Sequence, residues 1–577
     1  MRSGNFAQSR TQLGIQADFF LVVGLFLIIQ ALTFNQIEED AFIYLRTAQN
    51  ILDGCGYVFN CHGPTIETGS SLVWQAIVAA MLKAFPEHIL LSLKLLEIGI
   101  SLLSLWLITL IASKELKHRF LVIVPALLLC ISTPFYTWSQ RVMGTPQHLL
   151  MLIWFLYACL YRCRGGWALP ASLLFMGRPE GFLFVGAGMI WLLFNKPLRE
   201  NLRGILLLGA ACLIVEIGRI VYFHELFPIS IYHKLRGDWE RGWSATQLFF
   251  LNSPLSLLLI PSAFIALQPR YWTPQKLLIT LMLATGILWA IIGEDWKDGN
   301  RALLSGLAIA CLWIAQNLDV WAKSWPRSTQ TLIAAVIIPT LVIGPTIRGF
   351  YQVAPNPLIT NFTWATNQDA FSFWSEYKAM LANPNDYLVD RYDPIGIPIL
   401  GHQLLATTGK FIAANYPKGI TIVYDQMGQT PWYAGTDKTF IDGAGLTDRD
   451  IAHLQLDMQQ HPPSVLSLHA YIRDIALRLF NQDVPQKQSL PTVLNGIFNA
   501  KPEMIIIMSH HHDNPNHAVM HGLLTDPRLA SGYYPAYKVN HFNTFYHRND
   551  MAMPAQDIIP FTTEVQRFDT PATRPEP

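Results

Sequence analysis

Charge is what this chain has least of. Only 14% of its 577 residues are Asp, Glu, Lys or Arg, where a soluble protein averages about 25%. The deficit is uneven. Residues 1–350 are dominated by long apolar runs between short charged loops, and residues 351–577 read as an ordinary soluble sequence. The net charge of +1 gives no footing for nucleic acid or another strongly anionic partner. Internal repeats and long low-complexity tracts are missing. No small-residue cleavage site follows the first apolar run, Asp18 to Phe34, which therefore reads as a retained anchor rather than a signal peptide. Cysteine is also sparse. Five of the seven lie in or beside apolar runs, where cysteine is usually a small hydrophobe. The other two, Cys55 and Cys61, flank a short loop and suit a disulfide if that loop faces an oxidising compartment. Spacing alone does not decide the geometry.

What the chain has is apolar length. After the first run, further stretches fall near 71–85, 88–112, 119–134, 147–162, 167–195, 203–222, 246–268, 277–293, 302–320 and 329–347. A bilayer core takes about 20 apolar residues of helix. The expectation is a mainly α, polytopic membrane module over 1–350 with roughly eleven spans. The stretch 167–195 is interrupted by Gly177-Arg178-Pro179-Glu180-Gly181, which predicts a broken or re-entrant helix lining a polar cavity. Basic loops at Lys114–Arg119, Arg162–Arg164, Lys196–Arg203, Arg270–Lys276 and Lys323–Arg327 orient the bundle with those loops inside. The first outer loop, 35–71, and residues 351–577 then lie outside. Two full spans over 71–113 would put Lys114–Arg119 on the wrong side, so the topology there stays open.

Residues 351–577 predict a compact α/β domain. Ile420–Tyr424 and Met504–Met508 read as strands, and 368–382, 402–416 and 465–481 as helices. The Pro-rich tail Thr570–Pro577 reads as disordered.

Four polar clusters interrupt the apolar surroundings: Glu39-Asp40 with Tyr44 and Arg46; Arg178-Pro179-Glu180-Gly181; Arg219 to Lys234, with Tyr232 and His233; and Gly293 to Arg301, with Asp295 and Trp296. They supply acids, anion-binding cations and aromatics. Arg and Lys bind phosphate, and a carboxylate can take a proton from an acceptor hydroxyl. Such a set suits an anionic lipid head group carrying a sugar.

Glu39-Asp40-Ala41-Phe42-Ile43-Tyr44-Leu45-Arg46, running into Gly54-Cys55-Gly56-Tyr57-Val58-Phe59-Asn60, resembles the opening pattern of the GT-C class arabinofuranosyltransferases of the terminal β-(1→2) type. Related bacterial enzymes decorate pilins or other surface glycans. Glu67-Thr68-Gly69, Arg178-Pro179-Glu180-Gly181, Arg219 to Lys234, Gly293 to Arg301 and Asp442-Gly443-Ala444-Gly445-Leu446-Thr447-Asp448 are similar to later motifs of that family, in the same order. The departures are Glu39 for the first Asp, Gly144 where the family has Glu, and Ile229-Ser230 after Pro228. They bear on the sugar and acceptor more than on the reaction class.

The resemblance implies a GT-C fold and a polyprenyl-phosphate-linked donor, D-arabinofuranose first. The acceptor would be an extracytoplasmic glycan, lipid-glycan or pilin-like protein. Asp40 is the preferred general base, with Glu39 as the alternative. Tyr44, Arg178, Glu180, Arg219, Tyr232, His233, Lys234, Asp295, Trp296 and Arg301 are candidate donor ligands. Asp425, Trp432, Asp442 and Asp448 are candidate acceptor ligands. Each has a plainer reading. Arg178 and Glu180 suit an internal ion pair, Lys234 and Arg301 suit interfacial snorkelling, Asp295 suits a helix cap, and the four outer residues suit turns or core. The run His510-His511-His512 with Asp513, His517 and His521 lacks zinc spacing. No metal ligand set is assigned, although some GT-C enzymes use a divalent cation. The expected location is the bacterial inner membrane, with the site facing the periplasm. A hexose or aminoarabinose transferase and a lipid-glycan flippase stay as alternatives.

Overall fold

The computed structural model describes residues 17–31, 34, 36–162, 165–234, 239–252, 255–292, 301–322, 389–390, 404–458, 464–480, 482, 488–508, 518–539, 543–551 and 565–567. The chain divides into two compact units. The first comprises Met1–Ile37, Glu87–Ile214 and Asp238–Leu388. The second comprises Glu38–Pro86, Val215–Gly237 and Val389–Pro577. A linear division at 350/351 therefore separates stretches that pack together. Asp295, Trp296 and the His510–His512 run lie outside the described residues.

Among the described residues, four helices are long and apolar enough to cross a membrane: Pro86–Glu115, Leu198–Phe223, Pro274–Ile292 and Arg301–Ala322. Five shorter apolar helices accompany them: Ala17–Ala31, Leu72–Ala84, Arg119–Cys130, Ala168–Gly177 and Gly181–Asn195. In the first unit the helix Leu304–Ala322 is buried along nearly its whole length, so it occupies the middle of the bundle. It meets Pro274–Ile292 at a pair of glycines. A Cβ on Gly306 would stand 3.1 Å from the Gly286 carbonyl carbon, so only small residues permit this close approach. Trp313 Nε1 donates to Thr280 Oγ1 at 3.0 Å across the same helix pair.

The stretch 167–195 is two helices, Ala168–Gly177 and Gly181–Asn195. Pro179 offers no N–H and forces Arg178 into extended backbone, φ −162° and ψ 155°. The second helix resumes at Gly181, where any Cβ would run into the Leu174 carbonyl.

The second unit is built on a six-stranded sheet. Its strands are β1 Thr421–Tyr424, β2 Thr439–Asp442, β3 Met504–Met508, β4 Tyr533–Val539, β5 Asn543–Arg548 and β6 Val565–Arg567. The order across the sheet is β2-β1-β3-β5-β4-β6. β2, β1 and β3 are parallel and the rest pair antiparallel. Both faces are covered, as a parallel centre requires. Ile422, Tyr424 and Ile506 point into one core, and Val423, Ile505 and Ile507 into the other. Ile43 and Phe59, from the stretch 35–71, are part of the former core, with Phe411 and Phe440. That shared core is why residues 38–86 belong to this unit rather than to the helical one.

Candidate active site

In the second unit, the helix Ala41–Leu52 carries the acidic pair at its start. Asp40 is its N-cap residue, half-buried, and its side chain makes no capping bond. Glu39 is buried, and its Oε1 accepts the backbone N–H of Gly428 in the loop that follows β1. Only glycine fits there, because a Cβ at 428 would overlap the Glu39 carbonyl and carboxyl. The pair thus splits into one anchored acid and one less buried acid at a helix start, where the N–H groups favour negative charge. Tyr44 is buried one turn further on, its hydroxyl 3.3 Å from Ser70 Oγ.

Arg46 has a structural place. Its guanidinium is fully buried and donates to the carbonyls of Phe59 (3.0 Å), Pro431 (2.6 Å), Gly435 (3.0 Å) and Lys438 (2.6 Å). It also stacks on Phe59 and Phe440 at 5.0 and 5.3 Å. Burial lowers its pKa to about 9. The loop that supplies Phe59 is closed by a disulfide between Cys55 and Cys61. Next to it, Asn60 Nδ2 donates to the Phe440 carbonyl at 2.7 Å.

Arg219 forms a two-point ion pair with Glu67, at 2.9 and 3.1 Å, and a third bond to Glu216 at 2.8 Å. Tyr232 donates to Glu225 at 2.7 Å. Glu225 also receives His453 at 2.7 Å and lies 3.7 Å from Arg473 and 3.6 Å from Arg449. Burial alone would push the Glu225 carboxyl up. The bond from His453, the Arg473 charge and the Tyr232 hydroxyl outweigh it and hold the group below its ordinary value. His233 and Lys234 end the short helix Ile229–Lys234.

Of the candidate acceptor ligands, Asp442 is a turn former. It accepts the N–H groups of Ala444 (2.8 Å) and Thr447 (2.6 Å) and the Thr447 hydroxyl (3.1 Å). Asp448 caps the helix Arg449–Asp457 by accepting from Ile451 N at 3.1 Å. Burial pushes Asp442 up to about 7 and Asp448 to about 6. Asp425 is buried just past the carboxyl end of β1, in the same loop as Gly428, and Trp432 is half-buried on the helix Gln429–Ala434. The carboxyl ends of parallel strands are where open α/β sheets place ligands.

In the first unit, Arg178 and Glu180 form a buried ion pair of 2.7 Å across the helix break. Arg301 stacks on Trp138 at 4.8 Å. Arg141 lies 5.0 Å from the same ring, and Lys94 and Glu97 are buried on the helix Ile89–Glu115. These last three were not singled out by sequence. The signal was a Lys and a Glu three residues apart inside an apolar run, where charges are rarely idle. Among the described residues, no group of three His, Cys, Asp or Glu side chains is placed to hold a metal ion.

A family model described as a domain of unknown function, DUF8728, matches residues 398–556, within the second unit. Two curated relatives share one name, terminal β-(1→2)-arabinofuranosyltransferase. The Mycobacterium tuberculosis protein is 26% identical over 321 residues, covering 47% of this chain and 51% of the relative. The Corynebacterium glutamicum protein is 25% identical over 389 residues, covering 57% and 54%. The chain spans about half the length of the curated relatives it matches. Among solved structures, ArnT from Cupriavidus metallidurans bound to undecaprenyl phosphate superposes with a TM-score of 0.48 and 10% identity, over 93% of this chain and 99% of that one. Arabinofuranosyltransferase AftD from mycobacteria gives 0.45 and 13%, over 93% and 40%. The resemblance to arabinofuranosyltransferases carried by the motifs is therefore borne out by sequence relatives.

Proposed function

We propose that the chain is an integral-membrane glycosyltransferase of the GT-C class. It moves a sugar, D-arabinofuranose first, from a polyprenyl-phosphate donor to an extracytoplasmic glycan or protein. The observation that carries the reading is the divided acid pair. Glu39 is buried and fixed to Gly428, and Asp40 is the less buried acid, at the N-cap position of a buried helix where the N–H groups favour negative charge. Asp40 takes the proton of the acceptor hydroxyl, whose oxygen attacks the anomeric carbon. The bond from that carbon to the phosphate oxygen breaks, and the lipid phosphate leaves with the electron pair. One displacement inverts the centre. Held carboxylates of this kind contribute about 10²–10⁴-fold.

The remaining spans, to roughly eleven, complete the membrane module in this reading. The Cys55–Cys61 disulfide supports placing the second unit on the periplasmic side, since such bonds persist in oxidising compartments. A divalent cation has no assigned ligands in it.

The test is sugar transfer in detergent from synthetic farnesyl-phosphoryl-arabinofuranose to candidate acceptors, with and without EDTA, for the wild type and Asp40→Asn. Transfer that collapses in a folded Asp40→Asn supports donor and base together. Transfer from a hexose or aminoarabinose donor alone overturns the sugar. Failure with every donor and acceptor, together with lipid-glycan translocation in vesicles, overturns the transferase reading.

A further inference from the structure

The turn between the helices Thr133–Trp138 and Thr145–Tyr161 is braced from a neighbouring helix of the first unit. Glu97 accepts the backbone N–H of Val142 at 2.6 Å on one oxygen and that of Gly144 at 2.7 Å on the other. Lys94, three residues earlier on the same helix, donates to the Gln140 carbonyl at 3.0 Å. Both side chains are fully buried. Val142 has a φ of 63°, a left-handed conformation that a β-branched residue holds only when its surroundings impose it. Strain of this kind gathers at ligand clamps.

What the braced turn presents is Arg141. Its guanidinium and that of Arg301 lie 5.0 and 4.8 Å from the centroid of one ring, Trp138, and both residues are buried. Two guanidinium groups sharing one indole concentrate positive charge where the dielectric is low. Close by in the chain, the hydroxyls of Thr137 and Thr145 are buried without a hydrogen bond. So are both ring nitrogens of His148, in the first turn of the helix Thr145–Tyr161, and Nη1 of Arg178. The His148 imidazole faces the helix break, with Nδ1 3.6 Å from where a Cβ on Gly177 would stand. Buried polar atoms left open in a native protein mark water, an ion or a ligand, and a helix start adds N–H groups that favour an anion.

We propose that this turn is the seat of the phosphate group of a polyprenyl-phosphate lipid, with Arg141 and Arg301 as its ligands and Glu97 and Lys94 as positioning residues. The inference rests on the lipid-phosphate donor proposed above, and the residues it adds are Arg141, Lys94 and Glu97 of the first unit.

The experiment compares binding of farnesyl phosphate and farnesol to the purified full chain in detergent. The wild type prefers the phosphate. Arg141→Gln and Arg301→Gln each weaken farnesyl phosphate about tenfold and leave farnesol unchanged. Glu97→Gln lowers the phosphate-over-alcohol ratio about threefold or more, a ratio that a general loosening of the bundle does not move. Inorganic phosphate at the same concentration does not displace the lipid; displacement would overturn the lipid source. Ratios unchanged in variants with wild-type melting midpoints overturn the inference and leave the donor reading standing. A wild type with no preference for the phosphate overturns both. If Arg141→Gln does not fold, Arg141→Lys, which keeps the charge and loses the fork, carries the comparison, with a ratio lowered about threefold expected.

Discussion

Glu39 accepts the backbone N–H of Gly428, a residue 389 positions further along the chain. One acid of the pair is thereby committed to holding the helix Ala41–Leu52 against the loop after β1. Its neighbour Asp40 is the less buried of the two and stands at the N-cap position of the same helix. The two acids should then fail differently. Asp40→Asn should reduce transfer by about 10²-fold or more with an unchanged melting midpoint. Glu39→Gln should lower the midpoint first. Equal loss of activity at equal stability in both variants would contradict the division.

Gly428→Ala probes the same contact from the other side. The added methyl has no room beside Glu39. Overpacking of this kind costs about 1–3 kcal/mol, and the variant should resemble Glu39→Gln in thermal melts.

Arg46 satisfies four backbone carbonyls at once. Lysine keeps the charge but cannot fork to them. Arg46→Lys should destabilise the second unit by about 3 kcal/mol, the cost of leaving buried polar groups unmatched. Limited proteolysis, read by which fragments are released, checks this. A wild-type cleavage pattern would count against it.

The Cys55–Cys61 bond closes a loop with a sequence separation of 6. The chain-entropy estimate for so short a loop is about 2 kcal/mol. The Cys55→Ser, Cys61→Ser double variant should melt lower by that amount, and thiol labelling of the native protein should find neither cysteine. Labelling of both without reductant would place the loop in a reducing compartment.

Glu225 gives stability a pH dependence. Its folded pKa lies below the unfolded value of about 4.3, so its contribution is complete above that pH. It is lost as pH falls through the folded value. Glu225→Gln should cost about 3 kcal/mol at neutral pH, and the gap to wild type should narrow below about pH 4. A gap of constant size from pH 7 to 3 would show that the charge is not what matters.

Much of the local structure was legible in the chain. The break at Arg178–Glu180 follows from one proline, and the strands Thr421–Tyr424 and Met504–Met508 follow from β-branched and apolar runs. The regrouping of 38–86 and 215–237 with 389–577 was not legible, because it depends on contacts such as Arg219 to Glu67, which span 152 positions. Arg46 reads as a member of a reactive cluster until its carbonyl partners are seen. Asp442 and Asp448 lie in a motif, yet their oxygens serve a turn and a cap. Arg141 was hidden for a different reason: nothing about a lone arginine in sequence reveals that its ring partner is shared.

The second unit also has a history written into it. Arg46 reaches the Pro431 carbonyl across 385 positions. At a synthesis rate of about 5–20 residues per second, the guanidinium emerges roughly 20–80 s before its acceptor exists. In that interval the first loop stands without the core it will share, and water must keep its charge. The ribosome therefore reaches the loop after β1 before Glu39 can be locked in place, and a nascent chain truncated before β1 has no means of anchoring it.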